Sequence, residues 1–492
     1  MGDYILAIDE GTTNVKAVLI DVQANITAEA SQEIKRSYPK PGWVEQDPRE
    51  IWNAVRATVD ECLEKGNHPD LHAVGLSVQR ETVLLWDRNT GEPLAPAIVW
   101  QDRRTTDFAQ QLRSQELESK IRGLTGLTID AEFPSSKTRW LLENIPNARE
   151  KANSGEVCFG QIDSWLLWNL SGGKVHVSDA ADASRTQLYN LADETWDQEL
   201  LDIFDIPEAI LPEVKPCSHV YAETVEIGSL PAGIPIASAI GDSHASLFGH
   251  TGFRPGAIKV TYGTGCSMMT PMSSAVISEN GISTTIAWER DEVVYAFEGV
   301  TLTGAAVQWV GEFMNYANPA QEVAERATQV DDNGGVYFVP ALAGLGAPYW
   351  KDSAKAVISG LTQGSTPDHL CRAAIESIAY QVRAMFDIMQ AESGSDLQTL
   401  LADGGPTRND MLMQFQADIL GVPVMRSTSP YISLLGAAYL AGLATGFWES
   451  EEELLGLPHP RDVFEPKMDD GEREKRYTEW EQAVDQAIIH TR

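Results

Sequence analysis

The chain is poor in cysteine, which makes up only five of its 492 residues. The five lie far apart, at positions 62, 158, 217, 266 and 371, and the nine histidines form no cluster with them. An odd number of scattered cysteines without metal-ligand spacing argues against a disulfide framework and against a zinc site. We therefore expect reduced, mostly buried thiols and no structural metal.

Basic residues are also scarce, because 37 lysines and arginines face 71 acidic residues, which gives a formal net charge of −34. A field of this sign opposes binding to nucleic acid and to anionic membrane surfaces. It also repels ATP at long range, so a nucleotide site in this chain must rely on local N–H donors and Mg²⁺. A saline habitat and an ordinary well-solvated surface would each account for the acidic excess.

Long apolar runs and two common nucleotide-binding motifs are missing as well. No apolar segment approaches the roughly 18–20 residues of a membrane span, and the first predicted strand begins too early to leave room for a signal peptide. The sequence therefore predicts a cytoplasmic protein without membrane insertion. The absence of a GxxxxGK[ST] segment excludes a P-loop NTPase, and the absence of HRD and DFG segments excludes the protein-kinase signature.

Strand-like and helical segments alternate along the whole chain, which is typical of an α/β fold. Because 492 residues exceed what one hydrophobic core usually supports, we expect two domains that divide near residue 250, at 1–250 and 251–492. Residues 51–66 predict an amphipathic helix. Residues 71–78 and 82–87 predict two strands that pair with each other.

Residues 5–21, ILAIDEGTTNVKAVLID, predict a β-hairpin whose turn binds phosphate. The first apolar run ends at Asp9, and the turn contains Gly11, Thr12 and Thr13. Glycine lets the backbone approach an anion closely, while hydroxyls and backbone N–H groups donate to phosphate oxygens. A carboxylate such as Asp9 beside phosphates is useful mainly for holding Mg²⁺ or its waters. An ordinary hairpin with a glycine turn is the alternative interpretation of this segment alone.

Two later segments repeat this chemistry. Residues 253–270 combine a Pro-Gly turn, a strand, a Gly-Thr-Gly turn and a second strand, and residues 403–405 form an Asp-Gly-Gly turn. Two hairpins of one plan, near the starts of two halves, indicate duplicated domains with a nucleotide between them. The donors and small residues that suit such a site are Gly11, Thr12, Thr13, Thr264, Gly265, Gly304, Gly404 and Gly405.

Two polar segments in apolar surroundings suggest an acceptor site. In VQRET, Arg80 and Glu81 follow a predicted strand, where they form either an ordinary ion pair or a grip on vicinal hydroxyls. In GDSHASLFG, Asp242 stands between a predicted strand and a helix, a position that suits an N-cap and a general base equally well. His244 in the same segment has a catalytic and a structural interpretation, of which the structural one is the commoner.

Taken together and in order, these segments resemble the FGGY family of carbohydrate kinases. The matching stretches include DEGTTNVKAVLID, VQRET, AIVWQDRR, DASRT, GDSHASLFG, TYGTGC, GAAVQW, GLGAPYW, DGGPTRND and LGAAYLAGLATGFW. The resemblance implies two ribonuclease H-like domains of the actin and Hsp70 ATPase type, with a catalytic cleft between them. It also implies a kinase that uses ATP and Mg²⁺ to phosphorylate a primary hydroxyl of a small polyol or sugar.

The resemblance further assigns roles to individual residues. Mg²⁺ is assigned to Asp9, and the nucleotide to Thr12, Thr13, Asn14, Lys16, Thr264, Gly304, Gln308, Gly405 and Asn409. The acceptor is assigned to Arg80, Glu81, Trp100, Glu132, Asp242 and Ser243, with Trp100 against the carbon face of the polyol. Asp242 is the expected general base, which orients the attacking hydroxyl and accepts its proton late in the transfer.

Within the family the chain is most similar to glycerol kinases, but three positions depart from their pattern. Glu132 stands where they have a tyrosine, Ser243 where they have a glutamine, and Ser267 where they have an aromatic residue. The loss of two large side chains enlarges the expected pocket, and Glu132 makes it more polar. Glycerol is therefore the first expected acceptor, and a four- or five-carbon polyol or ketose is the alternative.

Two further questions stay open at this point. A non-kinase ATPase with the same actin-like core is the competing class of function, but such a scaffold would not need the acceptor set of Arg80, Glu81, Trp100 and Asp242. Proteins similar to this one commonly form dimers and tetramers. A homodimer and a homotetramer are therefore both compatible with the sequence.

Overall fold

The computed structural model describes residues 2–254, 256–263, 265–301, 304–351 and 353–489. Helices and strands alternate within these ranges, as expected for an α/β fold. None of the helices in the described ranges combines the length and hydropathy needed to cross a membrane. All five cysteines are buried, in agreement with the expectation of buried thiols.

The first half of the chain contains the elements that precede residue 250. Its strands are β1 (Tyr4–Glu10), β2 (Asn14–Ile20), β3 (Ile26–Glu33), β4 (Glu45–Gln46), β5 (Leu71–Val78), β6 (Val83–Asp87), β7 (Ala97–Ile98), β8 (Val157–Gln161), β9 (Val177–Asp179), β10 (Tyr189–Asn190), β11 (Thr195–Trp196), β12 (Glu213–Lys215), β13 (Ser218–Glu223) and β14 (Pro235–Gly241). Its helices are α1 (Pro48–Lys65), α2 (Thr106–Ser114), α3 (Glu118–Thr125), α4 (Pro134–Asn144), α5 (Ala148–Asn153), α6 (Ile162–Leu170), α7 (Ala180–Ser184), α8 (Gln198–Phe204) and α9 (Asp242–Gly249), with a 3₁₀ turn at Glu208–Ile210.

The second half contains the remaining elements. Its strands are β15 (Ala257–Tyr262), β16 (Cys266–Met272), β17 (Ser283–Glu289), β18 (Val293–Thr301), β19 (Tyr337–Val339), β20 (Val357–Ser359), β21 (Thr399–Asp403), β22 (Val424–Ser427) and β23 (Arg461–Phe464). Its helices are α10 (Gly304–Phe313), α11 (Pro319–Ala327), α12 (Pro367–Ser393), α13 (Asp410–Leu420), α14 (Ile432–Thr445), α15 (Glu451–Gly456) and α16 (Asp470–Ile489), with a 3₁₀ turn at Gly405–Arg408.

The main sheet of the first half has the strand order β13-β14-β5-β1-β2-β3. β1 and β2 form an antiparallel hairpin, whereas β1, β5 and β14 run parallel to one another. β5 and β14 are almost entirely buried, as expected of parallel strands that are covered on both faces. Because the carboxyl ends of parallel strands meet at one edge, the residues that follow these strands come together there.

The main sheet of the second half repeats this plan with the order β17-β18-β16-β15-β21-β22-β23. β15 and β16 form an antiparallel hairpin, and β21 and β22 run parallel to β15 on its other side. In both sheets the hairpin is therefore extended by antiparallel strands on one side and by parallel strands on the other. This agrees with the internal duplication that the two Gly/Thr hairpins predict.

Helix α14 lies between β22 and β23 of the second sheet in the chain but packs on the first sheet and on α9. Small residues allow this close approach. A Cβ at Gly436 would lie 1.8 Å from the carbonyl oxygen of Ala245, and a Cβ at Gly75 would lie 2.6 Å from that of Ala437. The hydroxyl of Ser238 also donates a 2.7 Å hydrogen bond to the Ala437 carbonyl. α14 therefore anchors the second half of the chain on the first.

The predicted pairing of residues 71–78 with residues 82–87 is wrong. β5 lies between β1 and β14, whereas β6 pairs with β7 and β8 in a separate sheet of order β4-β7-β6-β8. The chain turns between the two strands at Glu81, whose φ is +59°. Residues other than glycine rarely adopt this left-handed conformation, so the apolar pattern of the two strands does not reveal the turn.

Candidate active site

The carboxyl ends of β1, β5 and β14 form one edge of the first sheet. Glu10 of β1 and Gly241 of β14 both lie opposite Val78 of β5. Asp9 therefore lies near the turn that follows β5 and near Asp242, the first residue of α9. The crevice outside the carboxyl ends of the strands is the usual ligand site of an open α/β sheet.

A cavity of about 780 Å³ opens at this edge, and both halves of the chain line it. The first half contributes Asp9, Arg80, Asp242, Ser243 and Ser246. The second half contributes Thr261, Ser267, Asp403, Gly404, Gly405, Thr407, Arg408, Arg426, Ser427, Thr428, Ser429, Pro430, Ile432, Ser433 and Asp462. The predicted residues Asp9, Arg80, Asp242, Ser243, Ser267 and Gly405 thus share one cavity of a size typical for small-molecule ligands.

Asp242 has the properties of a general base. Its side chain is 44% exposed at the cavity wall. Poor solvation inside the cleft raises the pKa of its carboxyl to about 6, although the positive charge of Arg80 opposes the shift. One carboxylate oxygen lies 3.5 Å from Nε of Arg80 and accepts a 2.6 Å hydrogen bond from the N–H of Ser243. An accessible carboxylate whose pKa lies nearer to neutrality is suited to proton transfer.

Two arginines and two glutamates form a buried network beside Asp242. Arg80 binds Glu298 at 2.8 Å. Arg185 binds Glu298 at 2.9 Å and Glu81 at 2.7 Å. Burial alone would raise the pKa of Glu298, but the two guanidinium groups hold it well below its usual value. Among the described residues, Arg80 and Glu81 form no salt bridge with each other, so the ion-pair alternative for these two residues gives way to this longer chain across both halves.

Ser243 and Ser267, two of the positions that depart from the glycerol kinase pattern, contact each other through their hydroxyl oxygens at 2.9 Å. The amine of Lys259, which is completely buried, donates to the Ser243 hydroxyl at 2.7 Å. Burial lowers the pKa of Lys259, while the negative charges of Asp403 and Glu298 oppose the change. This part of the cavity is therefore lined by hydroxyl groups with the amine of Lys259 directly behind them.

Glu132 and Trp100 lie near the network of arginines and glutamates but are not among the residues that line the cavity. Glu132 is half-buried, and burial together with the negative charge of Glu81 raises the pKa of its carboxyl to about 7. The indole N–H of Trp100 donates a 2.9 Å hydrogen bond to the hydroxyl of Thr12. Trp100 is thus held against the turn of the first hairpin.

The turn of the first hairpin is closed by its own backbone. The N–H of Gly11 donates to the carbonyl of Asn14 at 3.0 Å, and the side chains of Thr13 and Asn14 are exposed. Lys16 lies opposite Asp9 in the hairpin register. The predicted phosphate residues of this turn are therefore adjacent to Asp9, although only Asp9 itself lines the cavity.

Asp9 is half-buried at the base of the same hairpin. Burial raises the pKa of its carboxyl, and the hydrogen bond from Ser77 and the charge of Lys16 oppose this shift. The hydroxyl of Ser77 donates to Asp9 at 2.6 Å. Asp9 and Asp242 therefore present two carboxyl groups with raised pKa values to one cavity, and a cation bound between them would offset their charge.

The second half of the cavity is built around a glycine turn. Gly404 has a φ of +98°, and a Cβ there would lie 2.0 Å from the carbonyl oxygen of Tyr262, so this position requires glycine. At Gly405, by contrast, a Cβ would meet no heavy atom of the described residues within 4 Å. The absence of a side chain at Gly405 therefore leaves open space on the cavity side.

Asp403 joins this glycine turn to α9. The hydroxyl of Ser246 donates to its carboxylate at 2.7 Å, and the imidazole of His250 lies 2.8 Å from the same oxygen. Although burial opposes the change, the hydrogen bond with His250 and the charge of Lys259 contribute to lowering the pKa of Asp403 to about 2. The two walls of the cleft are thus connected beside the candidate base.

The other predicted nucleotide residues lie farther along the second half, and none of those described is among the residues that line the cavity. Gly304 begins α10, and the exposed side chain of Gln308 donates to Glu312 at 2.7 Å. Asn409 caps the start of α13 by accepting two backbone N–H hydrogen bonds. Thr264 lies outside the described residues.

Reasoning from the sequence missed Arg185, Glu298, Lys259 and Asp403 as parts of the site. Glu298 and Lys259 each stand within a mostly buried strand, and a charged residue in such a position signals a partner elsewhere in the fold. Arg185 and Asp403 lie inside the segments DASRT and DGGPTRND. Their side-chain partners are distant in sequence, which is why the motifs alone did not reveal them.

Comparison with known proteins agrees with this architecture. Residues 4–249 match the N-terminal domain, and residues 258–445 the C-terminal domain, of the FGGY family of carbohydrate kinases. The chain is 49% identical over 489 residues to the glycerol kinase of Carboxydothermus hydrogenoformans, with 98% of each chain covered. It is 47% identical over 490 residues to glycerol kinase 2 of Thermotoga maritima, with 99% of each chain covered.

Solved structures give the same result. The crystal structure of Plasmodium falciparum glycerol kinase with ADP matches with a TM-score of 0.94 and 33% identity, covering 99% of this chain and 98% of that one. The gluconate kinase from Lactobacillus acidophilus matches with a TM-score of 0.89 over 99% of this chain and 97% of that one, but at 23% identity it shows the shared fold alone.

The two-domain α/β fold and its cleft are those of a phosphotransferase. The chain belongs to the FGGY family of carbohydrate kinases. The predicted family, fold class and kinase activity are therefore confirmed, and the competing class of a non-kinase ATPase is set aside.

Proposed function

We propose that this kinase transfers the γ-phosphoryl group of ATP to a primary hydroxyl of glycerol and forms glycerol 3-phosphate. The observation that carries the proposal is the cleft itself, in which Asp242 and Asp9 face the glycine turn at Gly404 and Gly405. Full-length identities of 47% and 49% to two glycerol kinases support glycerol as the acceptor.

In this proposal Asp242 orients the attacking hydroxyl and accepts its proton as the phosphoryl group is transferred. Arg80 and Glu81 bind the other hydroxyls, with Glu132 and Ser243 at the border of the pocket and Trp100 against the carbon chain. The ion pairs through Glu298 hold Arg80 in place before the substrate arrives, so that little ordering is needed on binding.

ATP lies on the other side of the cavity in this proposal. Its phosphates bind between the turn of the first hairpin, with Thr12, Thr13, Asn14 and Lys16, and the second-half residues Thr264, Gly304, Gln308, Gly405 and Asn409. Asp9 would hold Mg²⁺ directly or through its waters, and carboxylate oxygens fit this hard cation. When bound, Mg²⁺ neutralises charge on the phosphates. We also propose that residues 1–250 form the acceptor domain and residues 251–492 the nucleotide domain.

The test is a screen for acceptor-dependent ADP release in the presence of ATP and Mg²⁺. Glycerol, erythritol, xylitol, ribulose and xylulose are compared by kcat/KM, and the product is identified by ³¹P NMR. The proposal expects the highest kcat/KM for glycerol. A higher value for a longer polyol or a ketose would transfer the assignment to that acceptor, in keeping with the small residues Ser243 and Ser267. No stimulation by any of them would overturn the proposal.

A further inference from the structure

Glu81 directly follows Arg80, which lines the cleft, and is held in an unusual backbone conformation. Its φ of +59° lies in the left-handed region, which a residue with a long side chain seldom occupies. Its N–H donates a 2.7 Å hydrogen bond to the side-chain oxygen of Gln161, and its carboxylate binds Arg185 at 2.7 Å. Strained backbone of this kind persists only where the surroundings fix it, and it concentrates at functional sites.

Lys137 of α4 contacts the same backbone from the other side. Its side chain is completely buried. The amine donates a 2.5 Å hydrogen bond to the carbonyl of Glu132 and a longer one, at 3.4 Å, to the carbonyl of Glu81. A buried amine is costly unless it has partners, and here the partners are the main chains of two residues of the proposed acceptor site. Lys137 therefore ties together two separate segments of that site.

Carboxyl groups surround the amine of Lys137, which suits its position between the two segments of the acceptor site. Burial lowers the pKa of its amine to about 7, and the carboxyl groups of Glu132, Glu81 and Asp102 oppose the shift. Gln161 is also buried, and its amide nitrogen donates to the carbonyl of Asp182 at 2.7 Å, which orients the side-chain oxygen toward Glu81. The N–H and the carbonyl of Glu81 thus have partners on rigid elements, the end of β8 and α4.

We propose that Lys137, together with Gln161, is a positioning residue that fixes Glu81 in its left-handed conformation and so directs the Glu81 carboxylate within the acceptor site. The inference rests on the proposed function insofar as Glu81 binds the acceptor. It adds two residues that do not touch the substrate and act through the main chain of one that does. A lysine that only fills the core would stabilise the fold without affecting acceptor binding selectively.

The first test replaces Lys137 with methionine, which keeps the length of the side chain and removes its donor. We expect the KM for glycerol to rise about tenfold or more while the KM for ATP stays within about twofold, because only the acceptor side loses its geometry. Arg139→Met on the same helix is the control, since Arg139 is 30% exposed and binds Glu143. It should leave both KM values unchanged.

Gln161→Met provides a second test if Lys137→Met does not fold, because it removes the hydrogen-bond acceptor of the Glu81 N–H instead. It should also raise the KM for glycerol selectively. Circular dichroism and thermal melting establish that each variant is folded before its kinetics are compared. A folded Lys137→Met variant with an unchanged KM for glycerol, or with equal rises in both KM values, would overturn the inference.

A double-variant comparison tests whether Lys137 acts through Glu81. Glu81→Gly lacks the carboxylate, and glycine adopts a φ of this sign freely. In that background Lys137→Met should change the KM for glycerol by less than about twofold, because coupled residues are not additive. A full, independent effect would contradict the inference. The wild-type enzyme is measured first, so failure of glycerol as acceptor is recognised separately, and the variants are then compared with the best acceptor found.

Discussion

The two sides of the cleft differ in the kind of groups that form them. The nucleotide side consists of short turns, in which Gly404 allows the backbone to approach Tyr262 closely and Gly405 leaves open space. The acceptor side consists of largely buried charges, in which Arg80, 12% exposed, and the nearly inaccessible Arg185 share the carboxylate of Glu298. The shape of the nucleotide side therefore depends on the absence of side chains, and that of the acceptor side depends on charges that are already paired.

This difference determines how each side should respond to substitution. A side chain added at an open turn blocks a ligand but need not disturb the fold. A charge removed from a buried network leaves its partners unpaired, which is costly in such surroundings. Substitutions on the nucleotide side should therefore change ATP binding alone, and substitutions in the network should change both acceptor binding and stability.

The largest effect is expected at the point where the two sides meet. Asp242→Asn removes the base and keeps the shape of the side chain, so we expect kcat to fall by at least about 100-fold. Binding of ATP, measured by isothermal titration calorimetry, should change little because the nucleotide side is intact. A variant that keeps more than about a tenth of the wild-type kcat would show that Asp242 is not the base.

The next largest effect is expected for Glu298→Gln, which leaves Arg80 and Arg185 without their shared carboxylate. Because removing one partner of a buried ion pair is strongly destabilising, we expect a loss of about 3 kcal/mol in the free energy of unfolding. The KM for glycerol should rise about 30-fold. Urea unfolding and steady-state kinetics measure the two effects.

Glu289→Gln is the matched control for that experiment, because Glu289 ends the neighbouring strand β17 and has no salt bridge in the described part of the chain. It should leave the KM for glycerol unchanged. Equal effects of the two substitutions would mean that the network has no special role in acceptor binding.

Gly405→Val tests the open side of the cleft. The added side chain enters space that no described heavy atom fills within 4 Å of its Cβ, so we expect the KM for ATP to rise about tenfold. The KM for glycerol and the melting temperature should stay close to the wild-type values. A large fall in melting temperature would show that the space at Gly405 belongs to the packing of the fold.

The smallest effect is expected for pH. The pKa of Asp242 is raised to about 6, and a base acts only when deprotonated, so the rate should fall as the pH drops through this value. Between pH 7 and pH 5.5 we expect kcat/KM for glycerol to decrease about fourfold. For Asp242→Asn, kcat/KM should not show this fall at low pH. A wild-type kcat/KM that stays constant down to pH 5 would contradict the assignment of Asp242 as the base.

The same contrast explains how much the sequence predicts. The hairpin at residues 5–21 and the Asp-Gly-Gly turn are local, because each depends on a few adjacent residues with a recognisable turn chemistry. The family, the two-domain fold and the shared cavity position of Asp9, Asp242 and Gly405 were accordingly accessible from short segments. The segment LGAAYLAGLATGFW, which overlaps α14, was also recognisable as a family motif, although its place on the first sheet was not.

The acceptor network was not predictable in the same way. Arg80 and Glu298 are 218 positions apart in the chain, and the sequence around each residue does not indicate that the other is its partner. The left-handed turn at Glu81 is likewise set by Gln161 and Lys137 from distant elements. This turn also separates β5 from β6. Contacts between residues that are distant in the chain therefore explain both the wrong pairing of these two strands and the missed ion pairs.

The most direct test of the divided cleft is to measure the KM for ATP and the KM for glycerol side by side in Gly405→Val and Glu298→Gln. We expect a crossed result, in which the first variant raises only the KM for ATP and the second raises mainly the KM for glycerol. If Glu298→Gln raised the KM for ATP as much as Gly405→Val does, the cleft would not be divided into a nucleotide side and an acceptor side as described.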